Sequence, residues 1–350
     1  MHCANLYVHF PFCRQKCSYC ALYSRPRADE RFIRTYSADI ASAVAELGLE
    51  ENSLKTIYFG GGTPALCNLK QVFSALEPFR IKSSGEDSGT EFTIELHPLD
   101  VTDELLSDLK NGGVNRISLG VQSLDDSVLR HMGRGYDSER ARKAFVLVKK
   151  YSENAGIDLI VGYPGEKASI AELYGQLASW GLKHCSVYAL QNERNLSGVP
   201  EDAFVMDRIA LMAEFLSGIG LQRYEISNYA VPGYECKHNL AVWRGEDYIG
   251  LGEGACGRLG LRRTRNWWGT FKRKSAVAAF EEVVEKEFDD KERRLFRLRT
   301  REGLDASSHP QWLKTLESFA ADGLLEYRNS SWVLTPRGME VCDTILQELV

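Results

Sequence analysis

Three cysteines stand close together near the start of the sequence, at a spacing that suits metal chemistry. Cys13, Cys17 and Cys20 fall within eight residues. Thiolate sulfurs are the usual protein ligands of iron–sulfur clusters. Three thiolates on one loop leave one iron of a four-iron cluster without a protein ligand. An open metal position of that kind is where a substrate or a cofactor can bind.

The main alternative for this loop is a structural zinc site, which needs four ligands in a closed tetrahedron. The fourth ligand would be His2, Cys3 or His9, because the sequence contains no second C-x-x-C pair. The nine cysteines of the chain are odd in number and sparse. Such a set argues against a disulfide framework of the secreted type. We therefore favour iron and sulfide over zinc.

The elements that must position the cysteines alternate regularly between strand and helix. Short runs rich in β-branched and aromatic residues predict strands over residues 5–10, 56–59, 92–96, 115–119, 157–161 and 184–190. Helical periodicity between them predicts helices over residues 31–47, 69–79, 103–111, 138–151 and 169–179. This alternation indicates a parallel α/β fold. Periodicity alone leaves open whether the sheet is doubly wound or a barrel.

Residues capable of chemistry follow successive predicted strands. Cys13 follows the first strand, Thr63 the second and Gln122 the fourth, and Glu95 ends the third. In a parallel barrel the carboxyl ends of the strands meet at one mouth, where active sites lie. We therefore expect these side chains to lie near one another.

Composition excludes several broad classes. The chain of 350 residues carries 43 basic and 48 acidic side chains, a formal net charge of −5, which does not favour nucleic-acid binding. Its 44% hydrophobic and 26% charged content excludes a mostly disordered chain. No apolar run approaches the roughly 18 residues of a membrane span, and no secretory signal is evident. We expect a cytoplasmic protein with no integral membrane segment.

The run YVHFPFCRQKCSYC resembles the radical S-adenosylmethionine (SAM) signature in its coproporphyrinogen-dehydrogenase-like form. The same family carries phrases similar to GGGTP, EFTIELHP, NRISLGVQS, YEISNYAVPGYECKHN and DYIGLGEGA, which occur here in order. The resemblance extends over almost the whole chain. It implies an incomplete (β/α)6 radical SAM barrel with a small C-terminal domain that is mainly helical and winged-helix-like.

The barrel implied by the resemblance, together with the change in sequence character after it, predicts how the chain is divided. Residues 1–255 would form the barrel and its extension, residues 256–288 a basic connecting segment, and residues 289–350 the small C-terminal domain. In the last part, GLLEYRNSSWVLTP predicts a short hairpin. Arginines and lysines of residues 258–274 would meet the propionates of a tetrapyrrole. A solvated surface loop is the equally simple alternative for that stretch.

Cofactors and their contacts come from the same resemblance. Cys13, Cys17 and Cys20 would hold a [4Fe–4S] cluster. SAM would contact a glycine-rich loop, a strand-end carboxylate, an arginine fork and flanking aromatic groups. The predicted cofactor contacts are Tyr7, Tyr19, Gly61, Gly62, Thr63, Glu95, Gln122, Arg134, Asp158 and Cys256.

Two classes within the family perform different tasks. One is an oxygen-independent coproporphyrinogen III dehydrogenase, and the other is a heme chaperone of the HemW type. The dehydrogenase has an N-terminal extension before its tyrosine and a fourth cysteine in its motif, whereas here Tyr7 is near the start and Leu22 replaces that cysteine. Both departures favour the chaperone class. The enzyme, or another tetrapyrrole-directed radical SAM enzyme, stays the alternative.

The chaperone class carries a heme-binding motif of the form His-Asn-x-x-Tyr-Trp. His238, Asn239 and Trp243 match it, while Val242 replaces the tyrosine. A neutral imidazole is a good axial iron ligand, so these three residues are predicted to contact heme. Two further departures from chaperone relatives are Cys256, where they usually have His, and His97, where they usually have Asn. Implied partners are heme or another tetrapyrrole, a heme-acceptor protein, and an electron donor such as a flavodoxin.

Overall fold

A computed structural model describes residues 3–26, 28–82, 89–166, 169–191, 195–266, 280–307 and 309–350 of the chain. The strands are β1 (Asn5–Phe10), β2 (Phe12–Cys13), β3 (Arg25–Pro26), β4 (Thr56–Gly61), β5 (Glu91–Leu96), β6 (Arg116–Gln122), β7 (Asn154–Val161), β8 (His184–Ala189), β9 (Gln222–Arg223), β10 (Asn228–Ala230), β11 (Ile249–Leu251), β12 (Cys256–Leu259), β13 (Arg262–Arg265), β14 (Phe280–Val283), β15 (Leu325–Arg328) and β16 (Ser331–Leu334). The helices are α1 (Glu30–Glu46), α2 (Lys70–Leu76), α3 (Asp103–Asn111), α4 (Asp126–Met132), α5 (Ser138–Tyr151), α6 (Ile170–Tyr174), α7 (Asp202–Gly218), α8 (Lys237–Trp243), α9 (Lys286–Leu295), α10 (Leu313–Ala321), α11 (Pro336–Glu340) and α12 (Cys342–Leu349).

The six predicted strands form the parallel centre of one sheet, in the order β1, β4, β5, β6, β7 and β8. Strand β11 adds in parallel beside β1, and β10 and β9 add in antiparallel fashion beside β8. Among the described residues, no pairing joins β9 to β11, so the sheet is not closed by hydrogen bonds. The predicted parallel α/β fold is confirmed, with strand ends that differ from the prediction by a few residues.

The two faces of the parallel strands differ sharply in polarity. In β5, Phe92, Ile94 and Leu96 point into the apolar core under the helices, while Glu91, Thr93 and Glu95 occupy the alternate positions. A doubly wound sheet would carry helices and apolar side chains on both faces. Here the polar face instead lines a cavity to which β4, β5, β6, β7 and β8 all contribute. This answers the question that periodicity left open in favour of an incomplete barrel.

Local signals explain where the helices around the barrel begin and end. The side chains of Thr102 and Asp137 accept backbone N–H bonds at the starts of α3 and α5. Helix α4 ends at Gly133, whose φ of 76° is typical of a left-handed helix end. The helices α4, α7 and α8 were not predicted. Apolar residues are spread around α7 and do not form one stripe, so the sequence of this segment lacks the helical periodicity that predicts a helix.

The C-terminal part builds a core of its own. Leu295, Trp312, Leu316 and Ile345 are among the buried side chains of this second apolar cluster. Strands β15 and β16 pair in antiparallel fashion, so the predicted hairpin is confirmed. Helices surround it, as expected for the mainly helical C-terminal region.

The basic stretch after the barrel is only partly described. Strands β12, β13 and β14 form a small antiparallel sheet. Within it, Arg258 pairs with Glu292, and Arg263 pairs with Asp289 and Glu292 of α9. These two arginines are therefore engaged by acidic side chains of the chain itself. The predicted tetrapyrrole contacts at residues 267–274 lie outside the described residues. In the described parts of the chain, no helix combines the length and the apolar character that crossing a bilayer requires.

Candidate functional site

A cavity of about 1200 Å³ opens at the carboxyl ends of the parallel strands. It collects most of the residues singled out from the sequence, although they come from distant parts of the chain. The predicted site residues that line it are Cys13, Cys17, Tyr19, Cys20, Gly61, Gly62, Thr63, Glu95, Gln122, Arg134 and Asp158. The other predicted site residues, Tyr7, Cys256, His238, Asn239 and Trp243, do not belong to its lining.

The loop that carries the three cysteines is held by contacts to several neighbouring loops. The Arg14 side chain pairs with Asp100, which follows β5. The Gln15 amide donates to the carbonyl of Gly133 at the end of α4. The Lys16 ammonium donates to the Ser24 hydroxyl at 2.7 Å, across the loop itself. These side chains fix the path of the chain around the thiols.

Ser18, between the second and third cysteines, adds a further set of anchors. Its backbone N–H donates to the carbonyl of Met132 at 3.3 Å, and its hydroxyl donates to the backbone carbonyl of His131 at 3.2 Å. The same hydroxyl lies 2.7 Å from the hydroxyl of Tyr163, in the loop after β7. The cysteine loop is thus tied to both α4 and the β7 end.

The thiols themselves are partly buried on the cavity wall. Burial raises the pKa of Cys13, and the nearby thiols of Cys20 and Cys17 raise it further. A cation at the site counters such repulsion. The guanidinium of Arg134 lies 3.5 Å from the sulfur of Cys17.

The structure does not favour the zinc alternative. In the described residues, no group of three or more His, Cys, Asp or Glu side chains is arranged to hold one metal ion. His9 uses both ring nitrogens, one with the Tyr7 hydroxyl and one with the Tyr23 carbonyl, each at 2.9 Å. Cys3 precedes β1, at the opposite end of that strand. His2 lies outside the described residues. In a four-iron cluster each thiolate binds a different iron, so the sulfurs need not converge on one point.

Two glycines at the end of β4 allow that strand to approach the cysteine loop closely. Gly61 has a φ of 104°, and a Cβ there would lie 2.5 Å from the His9 ring. A Cβ on Gly62 would lie 2.4 Å from the Phe12 carbonyl oxygen and 2.9 Å from the sulfur of Cys13. The backbone N–H of Gly62 donates to the Phe10 carbonyl at 2.7 Å. Space therefore requires glycine at both positions, and the positive φ of Gly61 favours glycine there as well.

A pair of half-buried carboxyl groups faces the cavity from inside the barrel. Glu95 accepts bonds from the Tyr58 hydroxyl at 2.8 Å and from the Gly61 N–H at 3.1 Å. Burial, and then the neighbouring Asp158, raise the pKa of Glu95 to about 7. The Ser118 hydroxyl contacts both oxygens of Asp158, at 2.9 and 3.1 Å. Burial also raises the pKa of Asp158.

Arg134 and Gln122 approach the same space from neighbouring loops. Arg134 donates to the Tyr136 hydroxyl at 2.9 Å and to the Gly120 carbonyl at 2.7 Å, and lies 3.4 Å from the Tyr19 hydroxyl. Gln122 ends β6 after a register shift and has a φ of 68°. A positive φ is unfavourable for a residue other than glycine, and such strain gathers at functional positions.

Two predicted cofactor contacts lie off the cavity. Tyr7 packs against Tyr58 and His238, with ring centroids 6.0 and 6.4 Å apart, inside the barrel. Cys256 begins β12 and is exposed, opposite Arg265. Their proposed contacts with a cofactor stay predictions.

The residues predicted to contact heme lie at the amino end of the barrel strands. His238 is 5% exposed and lies 2.8 Å, through Nδ1, from the hydroxyl of Thr56, the first residue of β4. That hydroxyl donates its single hydrogen to Asn5, so Nδ1 of His238 is the donor and Nε2 keeps a lone pair. Burial, and then Arg116, lower the pKa of His238 to about 3, so the ring is neutral.

The other residues of the motif are half-buried, and the start of α8 is fixed by hydrogen bonds. The backbone N–H groups of Lys237 and His238 both donate to the carboxylate of Glu91 at 3.0 Å. Trp243 packs edge-on against Phe296, and the guanidinium of Arg299 lies 5.0 Å from the centre of its ring. Asn239 is half-buried. Heme ligation by His238 stays a prediction.

Comparison with known proteins identifies the chain. Residues 7–177 match the model of the radical SAM superfamily. The heme chaperone HemW of Escherichia coli is 34% identical over 269 residues, covering 73% of this chain and 70% of the relative. The HemW of Mycobacterium tuberculosis H37Rv is 29% identical over 375 aligned positions, covering 99% and 94%. The chain belongs to the HemW family of radical SAM proteins.

A solved structure supports the fold of this family member. The coproporphyrinogen III oxidase HemN of Escherichia coli, a radical SAM enzyme, superposes with a TM-score of 0.83. The match covers 99% of this chain and 90% of HemN at 21% sequence identity, so it supports only the assignment of the fold. The predicted fold and family are confirmed.

The sequence analysis missed residues of this HemW-family protein that hydrogen-bond or pair with side chains at or near the site. Tyr58 holds Glu95, and Tyr136 holds Arg134. Glu253, 1% exposed, pairs with Arg25 at 2.7 Å, just after the cysteine loop. A usable signal was the polar residue at every second position of the strands, as in EFTIEL and RISLGVQ.

Proposed function

We propose that this protein is a heme chaperone, which holds a [4Fe–4S] cluster and SAM at the carboxyl ends of its strands, binds heme, and transfers it to an acceptor protein. The observation that carries the proposal is the similarity to HemW proteins over as much as 99% of the chain. The large cavity beside the cysteines is consistent with it.

The proposed cluster ligands are Cys13, Cys17 and Cys20. Three thiols on one cavity wall, with the buried guanidinium of Arg134 at 3.5 Å from one of them, fit an anionic iron–sulfur group. When bound, such a cluster supplies single electrons and one coordination position that no cysteine occupies.

The proposed SAM contacts continue from the cysteines around the cavity. Gly61, Gly62 and Thr63 present backbone groups at the end of β4. Glu95 and Asp158 place carboxyl groups that can accept hydrogen bonds from hydroxyl or ammonium groups. Arg134 offers a guanidinium for a carboxylate. The remaining proposed contacts are Tyr7, Tyr19, Gln122 and Cys256.

The proposed heme contacts are His238, Asn239 and Trp243. The neutral ring of His238, with a lone pair on Nε2, has the chemical form of an axial iron ligand. If α8 opens to present it, His238→Ala will shift the Soret band of the ferric heme complex and leave the cluster intact. An unchanged heme spectrum in this variant would remove His238 from the list.

The test of the proposed function is anaerobic reconstitution with iron and sulfide, followed by parallel heme titration and a coproporphyrinogen assay. A chaperone will bind heme stably and leave coproporphyrinogen unchanged. Turnover of coproporphyrinogen with consumption of SAM, together with a heme Kd no tighter than about 1 mM (roughly −4 kcal/mol), would support the dehydrogenase instead. The heme acceptor, an electron donor such as a flavodoxin and a cytoplasmic location stay predictions.

A further inference from the structure

The cavity extends well beyond the residues assigned to the cluster and SAM. Its volume of about 1200 Å³ exceeds the roughly 300–1,000 Å³ of a typical small-ligand pocket. The proposed SAM contacts gather on the side of β4 to β7. The opposite side is formed by segments after β8 and by the C-terminal domain, and its lining includes Arg223, Ile226, Arg299, Met339 and Val341.

Arg299 stands where the barrel meets the C-terminal domain. Its guanidinium lies over the ring of Trp243, at 5.0 Å from the ring centre. It also pairs with Asp343, whose side chain is 78% exposed, and exposed partners contribute little. The Nε–H group of Arg299 is buried, and in the described residues it has no hydrogen-bond partner. A buried donor without a partner is costly, and a ligand carboxylate would satisfy it.

Arg223 presents a second guanidinium to the same side of the cavity. Its Nε–H donates to the carbonyl of Ile226 at 3.0 Å, and a second N–H of the group points to the same oxygen. Its charged group also lies 5.7 Å from the centre of the Tyr229 ring. These contacts orient the side chain and use two of its five N–H donors.

The acidic groups near the two arginines are turned elsewhere or exposed. Glu225 is 2% exposed, and its carboxylate accepts bonds from the Ser227 N–H and the Asn228 amide. Burial raises the pKa of Glu225, while its hydrogen bonds and the charges of Arg223 and Arg299 act in the opposite direction. Asp343 lies largely in solvent. Ile226, Met339 and Val341 supply apolar surface to the lining of the same cavity.

We propose that Arg223 and Arg299 form a carboxylate-binding site that recognises the propionate groups of a tetrapyrrole lying in this half of the cavity. A planar apolar ring with carboxylates at one edge matches apolar lining that ends in two oriented guanidinium groups. The identity of the ligand rests on the proposed function. In this arrangement Trp243 acts through Arg299, since it is the Arg299 guanidinium that lines the cavity.

Heme and its dimethyl ester, which lacks the two carboxylates, provide the test. Both are titrated into the cluster-loaded protein and into Arg223→Gln and Arg299→Gln. The matched control is Arg301→Gln, because Arg301 pairs with Glu235 and is not part of the cavity lining. SAM affinity and iron content, measured on the same samples, report whether each variant is folded.

We expect each cavity variant to weaken heme binding by about tenfold, the loss of one charge-assisted contact. The wild-type protein will bind the dimethyl ester more weakly than heme. The two variants will bind the ester with the same affinity as the wild-type protein does. Heme affinity equal to wild type in both variants, or equal affinity of the wild type for heme and ester, would overturn this inference and leave the chaperone proposal standing. A wild-type protein that binds neither compound overturns both proposals.

Discussion

The two ends of the barrel use the same six strands and the same inward face, yet they differ in almost every physical respect. At the carboxyl end, glycines, a strained glutamine and a carboxyl pair surround an open cavity. At the amino end, the inward positions are filled by polar side chains that contact one another and α8. The first residues of five strands belong to this lower layer: Asn5, Thr56, Glu91, Arg116 and His184.

The amino end forms a connected chain of buried hydrogen bonds. His184 contacts the Tyr224 hydroxyl at 2.8 Å, and that hydroxyl accepts the N–H of Cys236 at 3.1 Å. Glu91 then binds the first N–H groups of α8, including that of His238. Most of these polar groups are satisfied by the protein, although Arg116 Nε and His184 Nδ1 have no hydrogen-bond partner among the described residues, whereas Glu95, Gln122 and Arg134 line the open cavity. The comparison teaches that polar side chains inside a barrel indicate a binding site only where the backbone leaves an open cavity beside them.

The largest effect is expected at the cysteine loop. Replacing Cys13, Cys17 or Cys20 by Ala removes a thiolate ligand, so iron and acid-labile sulfide will be lost from the reconstituted protein. Cys67→Ala is the matched control, because Cys67 is buried outside the loop, and it will keep both. Retention of about four irons and four sulfides in the triple variant would contradict the assignment of the cluster ligands.

Glu91→Gln tests the amino end. The Glu91 carboxylate accepts two backbone N–H bonds of α8 and lies near the buried Arg116. Loss of its charge is expected to lower the free energy of unfolding by about 3 kcal/mol, measured by chemical denaturation, with the cluster retained. The exposed Glu326→Gln serves as control, within about 0.5 kcal/mol of wild type. Equal stabilities for the two variants would show that the lower layer is not a structural network.

Glu95→Gln tests the carboxyl end through its pH dependence. The folded-state pKa of Glu95 is about 7 and its usual value is 4.5, so between these pH values the folded protein binds more protons than the unfolded chain. Stability from this group is therefore present below about pH 4.5 and is lost as the pH rises toward 7. The loss amounts to roughly 3 kcal/mol.

The measurement follows the free energy of unfolding of cluster-loaded, SAM-free protein from pH 5.5 to 8. The wild-type protein will lose stability over that range, and Glu95→Gln will lack this contribution to the decline. An identical slope in both proteins would argue that Glu95 is ionised throughout.

Gly62→Ala tests the space beside the cysteines. The added Cβ would lie 2.4 Å from the Phe12 carbonyl oxygen, and relieving such overlap costs about 1–3 kcal/mol. We expect lower thermal stability and faster loss of iron. Gly218→Ala is the control, because nothing lies within 4 Å of its Cβ position at the end of α7, and it will be neutral or gain up to about 1 kcal/mol. Equal behaviour of the two variants would refute the steric argument.

The smallest effect is expected for Tyr163→Phe. This change removes the 2.7 Å contact with Ser18 in the cysteine loop, worth about 1 kcal/mol. Cluster loss on exposure to a chelator will be moderately faster than in the wild type. Tyr327→Phe, at a site 62% exposed, is the control and will match wild type. A Tyr163→Phe protein that loses iron at the wild-type rate would exclude this anchor.

Prediction from sequence succeeded where the signal is local. The strand β1 and the helix α3 match their predicted bounds. The signals that predict them, the residue periodicity and the helix cap, lie within or next to each segment. Convergence at the carboxyl end followed from topology alone. The amino end was out of reach, since His238 and Glu91 are 147 residues apart and nothing in either segment reveals the contact. The sequence predicts heme contacts for the motif around His238, whereas the fold buries the His238 side chain.

The anchors of the cysteine loop have a consequence for the binding of the proposed cluster. Holding one residue in a single conformation costs about 1–2 kcal/mol of conformational entropy. The contacts of Arg14, Gln15, Lys16 and Ser18 mean that this ordering is achieved when the barrel folds. Binding of the proposed cluster would then act on a loop that already has its shape, as for any preorganised binding site. The affinity for that cluster would therefore be set partly by residues that never touch the metal.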